Sequence, residues 1–222
     1  MIFTENEIDF HVDDVLKRAT IIDCHLKAEA IFVPEKIGEY TVRSIDVAAF
    51  RNNKQLTFIK LPNTITKIRE EAFRGCIALE QVSFYETEKK YAVLKISDKA
   101  FMNCHSLFAF EINDSTNVSI GREAFKNCSQ LLDMHGCIQN IENKGFENCF
   151  KLNTLTFADC VLWKTDTFKG CHDLKNLIFD GDVEELMSDT CMKWISKRNI
   201  KCPRNSSLAD FVYEGTHVEF IK

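Results

Sequence analysis

Residues 56–76 read LTFIKLPNTITKIREEAFRGC, and this stretch decides the fold. Its first half places Leu56, Ile59 and Leu61 so that apolar and other side chains alternate, as a short half-buried strand requires. Its second half carries Ile65 and Ile68, then a small residue before Phe73, then Cys76 three residues later. Working outward, the ending recurs as AFRNNKQL from Ala49, AFRGCIAL from Ala72, AFMNCHSL from Ala100, AFKNCSQL from Ala124, GFENCFKL from Gly145 and TFKGCHDL from Thr167. The landmark phenylalanines are Phe50, Phe73, Phe101, Phe125, Phe146 and Phe168, spaced 23, 28, 24, 21 and 22 residues apart. The strand half recurs with them: Leu79, Val82 and Phe84; Leu107, Phe110 and Ile112; Leu152, Leu155 and Phe157; Leu174, Leu177 and Phe179. A fourth copy, Leu131, Met134 and Gly136, is degraded. Five residues before each Phe stands Ile45, Ile68, Ile96, Ile120, Ile141 or Trp163. Val183 and Leu186 begin a seventh copy, with Cys191 in the Phe place.

One unit of about 23 residues cannot bury its own apolar side, so a fixed period of this size means stacked coils sharing a continuous core. Each Phe can bury roughly 150–250 Å², which at about 25 cal/mol per Å² amounts to several kcal/mol per coil before entropy is counted. Composition permits this: the 222 residues are 45% hydrophobic, and 18 of the aromatics are Phe.

Cys76, Cys104, Cys128, Cys149 and Cys171 hold one slot, three residues after the Phe and three before the Leu; Asn53 holds it in the first full copy. Cys and Asn share small size and the ability to hydrogen-bond backbone groups. The slot therefore reads as a buried turn position. There is no C-x-x-C pair, so a zinc reading lacks its spacing. Parallel Cβ vectors on stacked coils disfavour disulfides, although the coil spacing is within their range. Free thiols suit a reducing compartment.

The whole unit, L-x-x-I-x-L-P-x-x-I-x-x-I-x-x-x-A-F-x-x-C, resembles the BspA-like (Treponema pallidum-type) leucine-rich repeat. The match runs over residues 31–179. VPEKIGEYTVRSIDVAAF (33–50) looks like the start of such an array, and IKCPRNSSLADFVYEGTHVEFI (200–221) like its ending of strand, Pro turn, short helix and strand. The resemblance implies an α/β solenoid: a right-handed superhelix with two parallel β-sheets, β-rich, of six to seven coils plus caps. Residues 1–32 are expected to form an N-terminal cap, 33–182 the repeats, and 183–222 a degenerate last repeat with a C-terminal cap. The L-x-x-I-x-L strands would make the concave sheet and the I-x-x-I segments the second. The implied role is adhesion or recognition, often on microbial surfaces.

Strand alternation puts Ile59, Leu61, Val82, Phe84, Phe110, Ile112, Leu155 and Phe157 inward. Their neighbours then face out on the concave side: Phe58, Lys60, Gln81, Ser83, Tyr85, Ala109, Glu111, Asp133, His135, Thr154, Thr156, Asn176 and Ile178. Apolar anchors such as Phe58, Tyr85 and Ile178 ringed by polar residues are what an interface core contains. The reading is a non-enzymatic module that binds a protein on this face. The alternative is a microbial surface adhesin for a host protein or glycan. An enzyme would need a phosphate loop, a nucleophile elbow or a Ser-His-Asp or Cys-His set, and the sequence offers none outside the repeat.

Net charge of −5 and a pI of about 5.7 argue against a phosphate-binding surface, so no nucleic acid is expected. No cofactor or metal is expected, and a monomer is. No run of 18 apolar residues suggests a membrane span, and the N-terminus does not read as a secretory signal. The sequons at Asn113, Asn117, Asn127 and Asn205 read as chance, Asn127 because it falls in the packed turn. The run ETEKKY (86–91), where the period lengthens, reads as a solvated loop. Asp13 and Asp14, and Glu184 and Glu185, read as solvated charges or first-turn helix residues.

Overall fold

The computed structural model describes residues 1–87, 93–162, 166–179, 197–203 and 217–221. Every regular element among them is a strand. The first sheet is parallel throughout: β4 (Ala30–Phe32), β7 (Phe58–Pro62), β9 (Gln81–Tyr85), β11 (Ala109–Glu111), the first half of β13 (Asp133–Ile141), the first half of β14 (Thr154–Leu162), β15 (Asn176–Phe179), β16 (Asn199–Pro203) and β17 (His217–Ile221). These are the L-x-x-I-x-L segments, one per coil. The register holds the alternation in phase: Ile31, Ile59, Val82, Phe110, Met134, Leu155, Leu177 and Ile200 stand side by side and are all buried. A slip of one residue would turn this row into solvent.

The second sheet aligns β3 (Arg18–Cys24), β6 (Tyr40–Ile45), β8 (Lys67–Ile68), β10 (Val93–Ile96), β12 (Asn117–Ile120) and the second half of β13. Ile21, Ile45, Ile68, Ile96, Ile120 and Ile141 form its buried row, as the spacing before each Phe implies. Trp163, Val183, Leu186 and Cys191 lie outside the described residues. In coil four, β13 runs through both sheets without an intervening loop. Gly136 makes the corner at φ +96°, and a Cβ there would lie 2.6 Å from Ile112 Cδ1. The Gly that degrades the sequence pattern is thus required by the fold.

The third edge of the coil is a ladder of turns. Phe50, Phe73, Phe101, Phe125, Phe146 and Phe168 stack face to face, with centroids 4.8, 4.9, 5.2, 5.3 and 5.9 Å apart and planes within 13°. Phe110 meets Phe101 and Phe125 edge-on at 5.4 Å. The small residue before each Phe is buried; at Gly145 an added Cβ would meet Ile141 Cγ2 at 2.4 Å. Each ladder thiol donates to the carbonyl of the Phe one coil earlier: Cys76 to Phe50, Cys104 to Phe73, Cys128 to Phe101, Cys149 to Phe125 and Cys171 to Phe146, at 3.0–3.1 Å. Asn53 does a different job in the same slot, its Oδ1 accepting from the N–H groups of Gln55 and Leu56. Cys24, Cys76, Cys104, Cys128, Cys137, Cys149, Cys171 and Cys202 are free thiols.

Two residues after each Phe the backbone is left-handed: Asn52, Gly75, Asn103, Asn127, Asn148 and Gly170 have φ between +59° and +83°. Asn and Gly are the residues that tolerate this region, which accounts for the N/G alternation. The asparagines also link coils, Asn148 Nδ2 donating to Asn127 Oδ1 at 2.9 Å and Asn127 Nδ2 to Asn103 Oδ1 at 2.8 Å. The amide of the Asn127 sequon is therefore committed to the ladder. Two residues before the Phe, Ala48, Glu71, Lys99, Glu123 and Lys144 are left-handed too. Two such residues per turn segment stop any helix from forming. The α part of the α/β expectation accordingly finds no element among the described residues. The short helix expected in the tail falls on residues outside them.

The two sheets begin differently. β1 (Ile2–Glu5), β2 (Ile8–Asp13) and β3 form an antiparallel meander that continues the second sheet. Asp13 and Asp14 sit in its turn, where Asp13 Oδ1 accepts from the N–H groups of Val15 and Leu16. The first sheet begins at β4, whose pairing with β7 starts at Ala30, inside the segment expected to be cap. At the other end, β16 and β17 continue the first sheet through the tail.

Candidate binding surface

Register places the outward residues of the first sheet in rows. One row runs Ala30, Phe58, Gln81, Ala109, Asp133, Thr154, Asn176, Asn199 and His217. The second begins Phe32, Lys60, Ser83, Glu111 and resumes as Thr156, Ile178, Lys201, Glu219, with His135 on the strand between. The structure thus brings Phe58, Lys60, Gln81, Glu111, Asp133, His135, Thr154, Thr156, Asn176 and Ile178 onto one face. Its groups differ in how far they are committed to internal bonds.

Ser83 is only 8% exposed. Tyr85 is half-buried, and its hydroxyl donates to the Val33 carbonyl at 2.8 Å, across the strand between them. Burial raises its pKa. Tyr85 therefore ties the first coils together. Phe58 is also half-buried, its ring 5.7 Å from that of Phe32. Phe32 itself is 68% exposed, and the sequence reading missed it by leaving it in the cap. Asn176 belongs to a second amide ladder: its Nδ2 donates to Asn153 Oδ1 at 2.7 Å, and Asn199 Nδ2 donates to its Oδ1 at 3.0 Å. Gln81 Nε2 donates to Glu111 Oε2 at 2.9 Å.

The exposed polar groups converge around coil four. Because β13 turns between sheets at Gly136 alone, a depression of about 430 Å³ opens there. Asp114, Asp133, His135, Thr154, Thr156 and Ile178 line it. His135 Nδ1 lies 3.0 Å from Asp114 Oδ1, and Cys137 Sγ donates to the Asp114 carbonyl, which fixes the loop of coil three over the depression. Asp114 was not singled out in the sequence; the available signals were the Gly in a Leu position and the shortened spacing. Beside it, Phe108 and Leu132, 41% and 47% exposed, sit on adjacent coils where the turn ladder meets the sheet. No group of three or more His, Cys, Asp or Glu side chains among the described residues could hold a metal ion, and among the described residues there is no helix long and apolar enough to cross a membrane.

In-register parallel strands, a Phe stack and a thiol ladder repeated once per coil define a leucine-rich-repeat solenoid. The chain belongs to the BspA type leucine rich repeat family, whose model matches residues 43–158 and 94–217 with 6 copies. Among solved structures, a leucine-rich repeat protein of T. pallidum is 21% identical with a TM-score of 0.59, over 78% of this chain and 91% of that one. A leucine-rich repeat protein from Bacteroides ovatus is also 21% identical, with a TM-score of 0.55, over 87% of this chain and 42% of that one. Both likenesses concern the fold. No curated protein matches the sequence.

Proposed function

We propose that this chain is a non-enzymatic recognition module whose concave sheet binds a partner protein. The observation that supports this reading best is the depression at coil four, where acidic, aromatic-nitrogen and apolar groups face outward from rigid strands beside exposed Phe108 and Leu132. Sites on strands hold their side chains in place, so binding loses little conformational entropy. An apolar centre, Ile178 with the threonine methyls, ringed by Asp114, Asp133 and His135 fits a protein surface that presents an apolar side chain beside a cationic one. The module acts as a monomer and, being acidic, does not take nucleic acid.

The test is a partner pull-down followed by titration with the variant Phe58→Ser, His135→Ala, Ile178→Ser. Tyr85 is left in place because its hydroxyl holds the first coils. A loss of ten-fold or more in affinity with an unchanged circular dichroism spectrum is expected. Unchanged affinity would remove the site from this face. The second reading, an adhesin for a host protein or glycan, draws on the Phe32–Phe58 pair beside the planar amide of Gln81, an arrangement suited to stacking on a sugar. Glycan-array binding that Phe32→Ala abolishes would establish that reading.

A further inference from the structure

The two sheets are unequal at their N-terminal end. The second is extended by the β1–β3 meander; the first stops at β4. Phe58 N–H donates to the Glu29 carbonyl and Val33 N–H to the Lys60 carbonyl. In a parallel ladder this directs both groups of Ile31 at β7 and turns the N–H and C=O of Ala30 and Phe32 the other way. Among the described residues nothing bonds to these four groups, and both residues are exposed. Edge strands are usually guarded by charge. The opposite edge, β17, carries His217 and Glu219, whereas β4 reads Ala-Ile-Phe.

Beneath this edge lies a pocket of about 230 Å³, lined mainly by Ile8, Phe10, Leu26, Ile31 and Ile37. It has room for one apolar side chain at the position where a further strand would point inward. Its surroundings are acidic. Residues 1–37 hold eight carboxylates and four Lys or Arg, and so carry four of the chain's five net negative charges. Glu5 lines the pocket, and Glu29 stands exposed just before β4.

We infer that the open edge of β4 takes up an extended segment of another protein, which adds a strand to the first sheet, seats an apolar side chain in the pocket and carries flanking Lys or Arg. Main-chain bonds to Ala30 and Phe32 give the segment its alignment. The pocket selects the inward residue, and the carboxylates select the flanks. This site is separate from the concave face and stands or falls apart from it.

The probe is the fluorescein-labelled peptide KTVTLTK, titrated into the full chain by anisotropy, with amide hydrogen exchange as a second readout. Binding is expected with new protection at the Ala30 and Phe32 amides. Methylating the three central peptide nitrogens should weaken it at least ten-fold, and so should Phe32→Pro, which removes, besides the ring, an N–H that faces away from β7. Phe32→Ala, which keeps that N–H, should lose less. Replacing the terminal lysines by Glu should weaken binding, and the double variant His135→Ala, Ile178→Ser should leave it unchanged. Equal binding by the methylated peptide, no protection at Ala30 and Phe32, or loss of binding in that double variant would overturn the inference. Self-association of the chain that Phe32→Pro abolishes would also overturn it, by making a second copy the occupant.

Discussion

The turn ladder and the first sheet run side by side through the coils and obey opposite rules. On the turn edge the same slots are tied to the coil next door again and again: Phe on Phe, thiol on carbonyl and, at Asn103, Asn127 and Asn148, amide on amide. On the outward side of the first sheet adjacent positions in a row change character from coil to coil, as Phe58, Gln81, Ala109, Asp133 and Thr154 show. Packing constrains the first region at every repeat. On the second it constrains the inward row alone, and the outward positions follow no repeat.

The largest effect that tests this contrast is in the Phe stack. Phe125 is fully buried between Phe101 and Phe146, with Phe110 against its edge. Phe125→Ala should destabilise by about 3–5 kcal/mol in urea unfolding, whereas His135→Ala on the outward face of the first sheet should change stability by under about 0.5 kcal/mol. Comparable losses would erase the distinction.

The thiol ladder comes next. Burial pushes the thiols of Cys104, Cys128 and Cys149 well above their ordinary value of 9.0. A folded-state pKa raised in this way stabilises the fold fully below the unfolded value and loses that contribution as pH rises past it. Stability should therefore fall above pH ~9, by up to ~1.4 kcal/mol per pH unit for each thiol. Cys128→Ser should cost about 1–2 kcal/mol at neutral pH and make the alkaline fall shallower; Cys128→Leu should cost more by overpacking. Fast labelling of the five ladder thiols in the native state would contradict their burial.

Two smaller effects separate the left-handed positions. Asn127→Ala strains the backbone at φ +63° and breaks two amide links, for about 1–2 kcal/mol. Asn127→Gly keeps the backbone relaxed and should cost less. Ala48, at φ +58°, has no such side-chain role; Ala48→Gly should stabilise by up to ~1 kcal/mol, as a small upward shift in Tm.

Asn or Gly recurs two residues after each Phe because left-handed backbone selects those residues. The slot two before the Phe was not legible in the sequence: Glu71, Lys99, Glu123 and Lys144 carry no such preference. They are forced into that region by the pairing of their backbones with the next coil, as when Glu71 N–H donates to the Asp98 carbonyl. Glu71 and Glu123 also pair with Arg74 and Lys126 three residues on. The rows of the first sheet follow from strand alternation, which the sequence carries. Their exposure does not, because it depends on neighbours distant in sequence. Tyr85 is tied down by Val33, 52 residues earlier, and His135 is held by a loop 21 residues earlier.

By itself, the sequence determined the coil, its period, the Phe and Cys ladders and the family, because every coil imposes the same packing demand on the next and the repetition writes that demand out six times. Only the tertiary structure decided what happens once. The single-residue corner at Gly136 opens the depression, the meander extends one sheet and leaves β4 at the edge of the other, and Phe32 emerges as an exposed aromatic. Each of these arises where the repeat is interrupted, and there the outcome is set by which distant segment fills the adjoining space.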